Sequence, residues 1–275
     1  MSGQHRVLVT NDDGIAAPGL RRLAAAATDH GLDVVVAAPL DESSGISAAM
    51  TAVVEEGRVV VDRRTVTALD GIPAFGVGAS PGYIVILATL GAFGTPPDLV
   101  LSGINRGANA GNAVLHSGTV GAALTAASAG LRAMAVSLDV FTPTIATAAS
   151  GGVASAALDE ADDEARNWDT ATSLARGLLP ALTAAPTGTV INLNVPDRVP
   201  DQVRGLRRAD LARFGQVTMT IAEAGEGYVR TSVREAETRP DPGTDLALLA
   251  EGWATVTPIR SVTVADDVDL PFPER

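Results

Sequence analysis

Two adjacent carboxylates follow the first apolar run of the chain, where residues 7–10, Val-Leu-Val-Thr, lead into Asn11-Asp12-Asp13-Gly14. Carboxylates at the end of a buried strand are costly to desolvate unless a cation or hydrogen bonds neutralise them. The cluster therefore favours a cation site. The alternative is an Asx turn in which this segment caps the helix that follows.

Three more clusters of small and polar residues follow later along the chain. Residues 43–47 are Ser-Ser-Gly-Ile-Ser, and residues 102–112 combine three glycines, three asparagines and Arg106. Residues 117–120, Ser-Gly-Thr-Val, open a helix whose free N–H groups could bind an anion. Because ligands of open α/β sheets bind at the carboxyl ends of the strands, all four clusters could lie along one edge. The alternative is an ordinary loop at 43–47 and an ordinary helix cap at 117–120.

The metal-ligand atoms that the sequence offers limit the kinds of metal site it can form. The 275 residues include no cysteine and three histidines, which excludes thiolate and iron–sulfur sites and disfavours a His-rich metal site. Carboxylate, hydroxyl and amide oxygens select Mg²⁺, Mn²⁺ or Ca²⁺ over Zn²⁺. A hard cation beside an anion-binding helix end fits metal-assisted hydrolysis of a phosphate ester. All 20 basic residues are arginine, and a chain without lysine cannot form a P-loop.

The charge and hydropathy of the chain disfavour two other classes. A net charge of −12 makes the protein a poor binder of nucleic-acid backbone. No apolar stretch reaches the length of a membrane span, and the N-terminal apolar run is too short for a secretory signal. We therefore expect a cytoplasmic protein with no nucleic-acid duplex and no membrane as partner.

Strand and helix patterns alternate along the chain. An apolar run at 7–9, a helix from Pro18 to His30 and a buried run at 34–37 form a βαβ unit, so the sheet should begin parallel. The alternation predicts an α/β fold with a mixed, mostly parallel sheet. Residues 59–61 and 65–67 are predicted as a hairpin or edge pair. The other predicted helices are 83–90, 119–131 and 170–182, the other strands are 99–101, 133–138, 190–193 and 255–259, and 241–245 is a predicted turn.

Four blocks of the sequence resemble the SurE family, the stationary-phase survival protein E phosphatases. Residues 7–19, which include Thr-Asn-Asp-Asp-Gly-Ile, are similar to that family's opening signature, and residues 38–47 resemble its second loop. Residues 97–120 resemble its longest block. Residues 242–258, beginning Pro-Gly-Thr-Asp, match its last block in order and spacing. The similarity spans nearly the whole chain.

The resemblance implies a fold, an activity and a cofactor. The fold is a three-layer α/β/α, Rossmann-like core with a C-terminal β-hairpin and tail used in oligomerisation, in a homodimer or homotetramer. The activity is that of a divalent-metal-dependent phosphatase, usually described as a 5′/3′-nucleotidase, acting on nucleoside monophosphates. The cofactor is one Mg²⁺ or Mn²⁺ per subunit.

The resemblance also implies roles for the residues at matching positions. The catalytic residues would be Asp12, Asp13 and Asn105, with Asp12 as general base or nucleophile. The metal ligands would be Asp12, Asp13, Ser44 and Asn105. The phosphate site would be lined by Asn11, Gly45, Asn109, Ser117, Gly118 and Thr119.

The chain departs from the family pattern outside these positions. The second loop is acidic, Leu40-Asp41-Glu42-Ser43, which would disfavour extra negative charge on the substrate. Residues 140–166 resemble an insertion, predicted as a mobile surface loop or, alternatively, a lid or subunit contact. We divide the chain into a phosphatase core at 1–204 and a segment at 205–275 that packs on the core and on a partner subunit.

Two alternatives to a nucleotidase stay open. The altered loops at 40–43 and 79–83 favour a SurE-like phosphatase that acts on a sugar phosphate or another pathway intermediate. The other alternative is a weakly active, metal-binding scaffold. The intact set of Asp12, Asp13, Ser44 and Asn105 counts against it.

Overall fold

A computed structural model describes residues 4–42, 49–55, 57–67, 69–140, 160–213, 217–225, 228–235 and 240–263. The strands are β1 (Arg6–Thr10), β2 (Asp33–Pro39), β3 (Val54–Glu55), β4 (Arg58–Val59), β5 (Val61–Arg64), β6 (Ala74–Val77), β7 (Leu99–Arg106), β8 (Arg132–Asp139), β9 (Thr189–Pro196), β10 (Leu206–Arg208), β11 (Val217–Gly225), β12 (Tyr228–Glu235) and β13 (Ala254–Arg260). The α-helices are α1 (Pro18–Asp29), α2 (Pro81–Thr89), α3 (Gly118–Ser128), α4 (Trp168–Ala184) and α5 (Asp245–Ala250).

A nine-stranded sheet forms the centre of the fold, with strand order β10-β13-β9-β8-β7-β1-β2-β6-β5. Neighbouring strands from β9 across to β6 run parallel. Antiparallel pairing occurs near the two sides, between β13 and β9 and between β5 and β6. The predicted mixed, mostly parallel sheet is confirmed.

Helices cover both faces of this sheet. On one face, Leu20 and Leu23 of α1 and Leu179 of α4 pack with Val7 and Leu101 in one buried core cluster. On the other face, side chains of α2 and α3 pack with the intervening strand residues in a second core cluster, which includes Ile84, Val85 and Val120. The strands read as near-continuous apolar runs because both of their faces are buried. The resulting arrangement is the three-layer α/β/α fold.

One predicted strand is absent, and one predicted helix is present but shorter than expected. Residues 65–67 form no strand; the chain enters a turn at Thr67, and Val66 is buried in the core. Instead β5 pairs with β6, and β4 pairs with β3. The helix predicted at 119–131 ends early, at Ser128, where Gly130 adopts a positive φ of 81° and turns the chain toward β8.

The C-terminal part of the chain contributes to the main sheet and to a separate hairpin. β10 and β13 extend the main sheet beyond β9, whereas β11 and β12 form a two-stranded antiparallel hairpin of their own. The short helix α5 was not predicted; its first residue, Asp245, is the last residue of the predicted turn. The predicted insertion at 140–166 falls largely on residues 141–159, which lie outside the described ranges. Within those ranges, no helix is long and apolar enough to cross a membrane.

Candidate active site

The first, third and fourth polar clusters lie together at one edge of the sheet. β1 and β7 are parallel neighbours with Thr10 opposite Ser102, so the residues that follow Thr10 lie beside the end of β7. The N-terminus of α3 lies at the same place, because Thr119 contacts Asp12. Ser44 and Gly45, in the second cluster, lie outside the described residues.

Asp12 is held by the first turn of α3. Its side chain is buried, and Oδ1 accepts a hydrogen bond from the Thr119 hydroxyl. Burial raises the pKa of Asp12, while the hydrogen bond from Thr119 opposes that rise. A Cβ atom at Gly118 would lie only 2.7 Å from Asp12 Oδ2, so the helix can approach the carboxylate this closely only with glycine at that position.

Asp13 lies against the end of β7. Its Oδ2 accepts a hydrogen bond from the backbone N–H of Arg106 at 3.3 Å. Burial and the adjacent Asp12 charge raise the pKa of Asp13 well above its ordinary range, and the Arg106 charge acts in the opposite direction. A cation bound between these two neighbouring carboxylates would stabilise their ionised forms, which burial disfavours.

Asn105 lies near the end of β7, just after an irregularity in that strand. The register between β7 and β8 shifts between Ser102 and Asn105, and Gly103 there has a φ of 129°. A Cβ atom at Gly103 would lie 2.2 Å from the carbonyl oxygen of Val136 on β8, so the position requires glycine. The buried Asn105 side chain donates a hydrogen bond from Nδ2 to the Gly107 carbonyl at 2.8 Å. Its amide oxygen, Oδ1, is the atom of this side chain that could bind a metal.

Asn11 shapes the turn that carries the two aspartates. Its Nδ2 donates to the carbonyl of Gly14 at 3.0 Å, while its buried Oδ1 has no hydrogen-bond partner in the described part of the chain. The alternative that this cluster caps the next helix is wrong. The N-cap of α1 is Ala17, without a side-chain cap.

Ser117 is the N-cap of α3. Its Oγ accepts a hydrogen bond from the backbone N–H of Val120 at 3.0 Å, so the capping interpretation of residues 117–120 is confirmed. Capping and anion binding are compatible here, because the positive end of the helix dipole still faces the edge where Asp12 lies.

Polar side chains of β8 and β9 hold Asn109 in place. Its backbone N–H donates to Asn194 Oδ1 at 2.7 Å, and its Nδ2 donates to Ser137 Oγ at 2.8 Å. Its carbonyl accepts from Asn192 Nδ2 at 2.8 Å and from Asn194 Nδ2 at 3.0 Å. The described contacts of Asn109 therefore fasten the 107–112 loop to β8 and β9.

The sequence patterns did not point to several of these supporting residues. Asn192 and Asn194 alternate with apolar residues in a strand that is buried on both faces. This alternation is the sequence feature that could have identified them as supporting residues. Asp245, in the predicted turn, is fully buried and accepts from the backbone N–H of Gly111 at 2.7 Å and of Ala212 at 3.0 Å.

The donor set fits a hard divalent cation. Asp12, Asp13 and Asn105 offer two carboxylates and one amide oxygen at a single edge, and oxygen donors of this kind suit Mg²⁺ or Mn²⁺. Among the residues that the structure describes, no group of three or more His, Asp or Glu side chains could hold a metal. A cation at this edge would therefore need amide or hydroxyl oxygens in addition to the aspartates.

Sequence comparisons match the chain to known proteins over most of its length. Residues 7–219 match the family model described as "Survival protein SurE". The chain is 37% identical over 261 residues to the 5′-nucleotidase SurE of Nitratidesulfovibrio vulgaris (strain DSM 19637 / Miyazaki F), with 92% of this chain and 86% of that protein covered. It is 33% identical over 263 residues to the 5′/3′-nucleotidase SurE of Shigella dysenteriae serotype 1 (strain Sd197), with 93% and 90% covered.

A solved structure shows the same fold. The crystal structure of the SurE protein from Aquifex aeolicus superposes with a TM-score of 0.69 and covers 95% of this chain and 96% of that chain, at 23% sequence identity. The family model spans most of the sequence, and the relatives align over nearly the full length of both chains. This chain therefore belongs to the SurE family.

Proposed function

We propose that the protein is a divalent-metal-dependent phosphomonoesterase that hydrolyses nucleoside 5′- and 3′-monophosphates to nucleoside and phosphate. Relatives at 37% and 33% identity are named 5′-nucleotidase and 5′/3′-nucleotidase. The observation that carries the proposal is the contact of Asp12 with the N-terminus of α3, while the adjacent Asp13 contacts the end of β7. This edge combines a cation site with an anion site, which is what a phosphate ester and a metal ion together require.

Asp12, Asp13, Asn105 and Ser44 would hold the cation. When bound, a divalent cation polarises a phosphoryl oxygen and lowers the pKa of a coordinated water. The raised pKa values of the two aspartates support this assignment, because a cation would compensate the charges that burial disfavours.

The chain's own residues bind and orient the phosphate group. Ser117, Gly118 and Thr119 form the first turn of α3, where the helix dipole favours an anion. Thr119 orients the Asp12 carboxylate, which serves as general base or nucleophile at the phosphorus. Asn11, Asn109 and Gly45 complete the proposed phosphate site.

Phosphate release from a panel of esters tests the function. The panel contains nucleoside 5′- and 3′-monophosphates and sugar phosphates, each with Mg²⁺, with Mn²⁺ and with EDTA. We expect metal-dependent release from the nucleotides and loss of activity in Asp12→Asn, with metal affinity measured separately by calorimetry. Equal or faster release from sugar phosphates would contradict the nucleotidase assignment and favour the alternative substrate class.

We also propose that the protein is a cytoplasmic homodimer or homotetramer in which the segment at 205–275 contacts a partner subunit. The supporting observation is the hairpin of β11 and β12, which exposes Ile221, Tyr228 and Val229 to 68%, 51% and 60%. Exposed apolar groups on one separate hairpin favour burial against another chain. Light scattering at micromolar concentration tests this, and a monomer would contradict it.

A further inference from the structure

An exposed imidazole, that of His116, stands directly before the first turn of α3. His116 is the last residue of a 3₁₀ helix, Gly111–His116, and it precedes Ser117, the N-cap of α3. Two residues further on, Gly118 packs so closely on Asp12 that a Cβ atom there would lie 2.7 Å from Oδ2. Because consecutive Cα atoms are about 3.8 Å apart, the Cα of His116 is at most about 7.6 Å from that of Gly118. His116 therefore borders the proposed phosphate site.

The backbone that carries His116 is held in place, whereas its side chain is not. At the start of the 3₁₀ helix, the N–H of Gly111 donates to Asp245 Oδ2 at 2.7 Å. Near its end, Val114 is buried in the core cluster that also contains residues of α2 and α3. The His116 side chain is exposed and has no hydrogen bond or ion pair within the ranges that the structure describes. Its ring nitrogens are thus available to a ligand.

Hydrolysis of an alkyl phosphate needs an acid at the ester oxygen, because an unprotonated alkoxide is a poor leaving group. The proposed roles of Asp12 and Asp13 lie elsewhere, at the cation and at the attack on phosphorus. The Arg106 guanidinium cannot be deprotonated in a protein. It lies 3.7 Å from the Glu42 carboxylate, which this ion pair engages. An imidazole can both give and regain a proton near neutral pH, so His116 has the chemistry that the step requires.

The other two histidines lie at the opposite edge of the sheet. His5 precedes β1, and its carbonyl accepts from the N–H of Asp33 at the start of β2 at 3.0 Å. His30 is the C-cap of α1, just before β2. Since β1 and β2 run parallel, both residues are at the amino ends of the strands, and the proposed site is at the carboxyl ends.

We propose that His116 is the general acid that protonates the leaving oxygen of the phosphate ester. The inference rests on the proposed function and deepens it, because it assigns the proton that the nucleoside hydroxyl gains. It also specifies the substrate class as esters of aliphatic hydroxyls, whose leaving oxygen needs a proton.

The proposed step conserves atoms and charge. A water oxygen bonds to phosphorus and gives a proton to Asp12, while the bond from phosphorus to the ester oxygen breaks and leaves its electron pair on that oxygen. The imidazolium of His116 gives its proton to the same oxygen, which yields the alcohol and phosphate. Loss of a proton by Asp12 and uptake of one by His116 from solvent restore both groups. If Asp12 is the nucleophile, its oxygen bonds to phosphorus instead, and the proton from His116 still goes to the ester oxygen.

The kinetic test compares His116→Gln with the unaltered protein on a nucleoside 5′-monophosphate and on p-nitrophenyl phosphate, in the same divalent cation. Nitrophenolate is a stable anion and leaves without protonation, so its release does not need the acid. We expect the ratio of kcat/KM for the nucleotide to kcat/KM for the aryl ester to fall by about 100-fold. A fall of less than about tenfold, including an equal loss on both esters, would overturn the proposal.

His30→Gln is the matched control, because it removes an exposed imidazole at the opposite edge of the sheet. We expect this variant to keep the ratio of the two esters within about twofold of the original. A fall in His30→Gln as large as that in His116→Gln would show that the ratio does not report on the proposed site, and would overturn the assignment.

A binding measurement separates proton transfer from phosphate binding. Inorganic phosphate is titrated by calorimetry into the protein in the presence of Mg²⁺, and we expect His116→Gln to bind it within about twofold of the unaltered protein, because phosphate has no leaving group to protonate. A loss of phosphate affinity as large as the loss of nucleotide hydrolysis would make His116 a binding residue and overturn its role as acid.

The proposed function and this inference can fail separately. If a sugar phosphate is hydrolysed and nucleotides are not, the nucleotidase assignment fails, and the ratio of the sugar phosphate to the aryl ester decides the role of His116 in the same way. If nucleotides are hydrolysed and the ratio is unchanged in His116→Gln, the function stands and the general acid is overturned. Hydrolysis of the aryl ester alone would contradict both.

Discussion

Asp245 accepts a hydrogen bond of 2.7 Å from the backbone N–H of Gly111, and so joins the start of α5 to the loop that follows β7. The same carboxylate accepts from the backbone N–H groups of Ala212 at 3.0 Å and Leu246 at 2.8 Å. One fully buried side chain thus ties three segments together. The loop it holds leads directly to the N-cap of α3 and hence to the proposed phosphate site.

Replacing Asp245 should destabilise the protein. Asp245→Asn keeps the size of the side chain but places an NH₂ group against at least one backbone N–H. We expect the free energy of unfolding to fall by about 1–3 kcal/mol, the cost of leaving a buried donor unsatisfied. Urea unfolding followed by circular dichroism measures this. Asp241→Asn, at an exposed position in the same turn, is the control and should change stability by less than about 0.5 kcal/mol. Equal effects of the two substitutions would contradict the role of Asp245.

The contribution of Asp245 should also depend on pH. Burial raises the pKa of Asp245 above its ordinary 3.8, and the backbone N–H groups of Gly111, Ala212 and Leu246 only partly oppose this rise. Between 3.8 and the raised pKa, the folded protein binds more protons at this residue than the unfolded chain does, so stability falls as pH rises. The stability that this proton uptake by Asp245 contributes is fully present below pH 3.8 and is lost above the raised pKa of the folded state.

The measurement is the difference in unfolding free energy between the unaltered protein and Asp245→Asn, taken across this pH window. Subtracting the variant removes the titration of all other groups that behave alike in the two proteins. We expect the difference to decrease as pH rises. A difference that increases with pH would show that the pKa of Asp245 is lowered by folding, contrary to this account.

Gly118 sets the distance between α3 and Asp12. In Gly118→Ala the new Cβ would lie 2.7 Å from Asp12 Oδ2 and 2.8 Å from Asp12 Cβ, so the carboxylate or the helix must move. A displacement of this size at reacting groups lowers kcat/KM by about 100-fold. The assay is phosphate release from a nucleoside monophosphate, with circular dichroism to confirm folding.

Gly177→Ala is the matched control for this substitution. Gly177 lies in α4, and nothing lies within 4 Å of a Cβ atom placed there. We expect unchanged activity and a gain in stability of about 0.5–1 kcal/mol, because alanine is the better helix former. Full activity in Gly118→Ala would show that the contact with Asp12 tolerates a methyl group.

The two asparagines that clamp Asn109 should differ in importance. Asn194→Leu removes the acceptor for the Asn109 N–H and leaves that buried group unpaired, whereas Asn192→Leu removes one of two donors to the Asn109 carbonyl. We expect Asn194→Leu to lower the free energy of unfolding by about 2 kcal/mol and Asn192→Leu to lower it less. Chemical denaturation of both variants under one set of conditions gives the order. The reverse order would contradict the clamp as described.

Local sequence determined much of the architecture. Apolar runs such as residues 7–9 and 34–37, separated by an amphipathic helix that starts at Pro18, require parallel strands joined by a crossover. Carboxylates directly after such a strand must emerge at its carboxyl end, so the residue pattern alone is enough to identify Asp12 and Asp13 as candidates. The types of donor atom present, with no cysteine or lysine available, restricted the chemistry further.

Only the tertiary structure decided which distant residues meet these carboxylates. The bulge at Gly103 shifts the register of β7 against β8, and a register shift is a property of the paired strands rather than of either sequence alone. The pairing of β5 with β6, in place of the predicted pair at 59–61 and 65–67, likewise depends on both strands and not on one local sequence. Asp245 and Gly111 are 134 positions apart, and the contact of Glu42 with Arg106 also joins separate loops. Such contacts depend on where strand order and layer packing place each loop, which no local pattern of residues specifies.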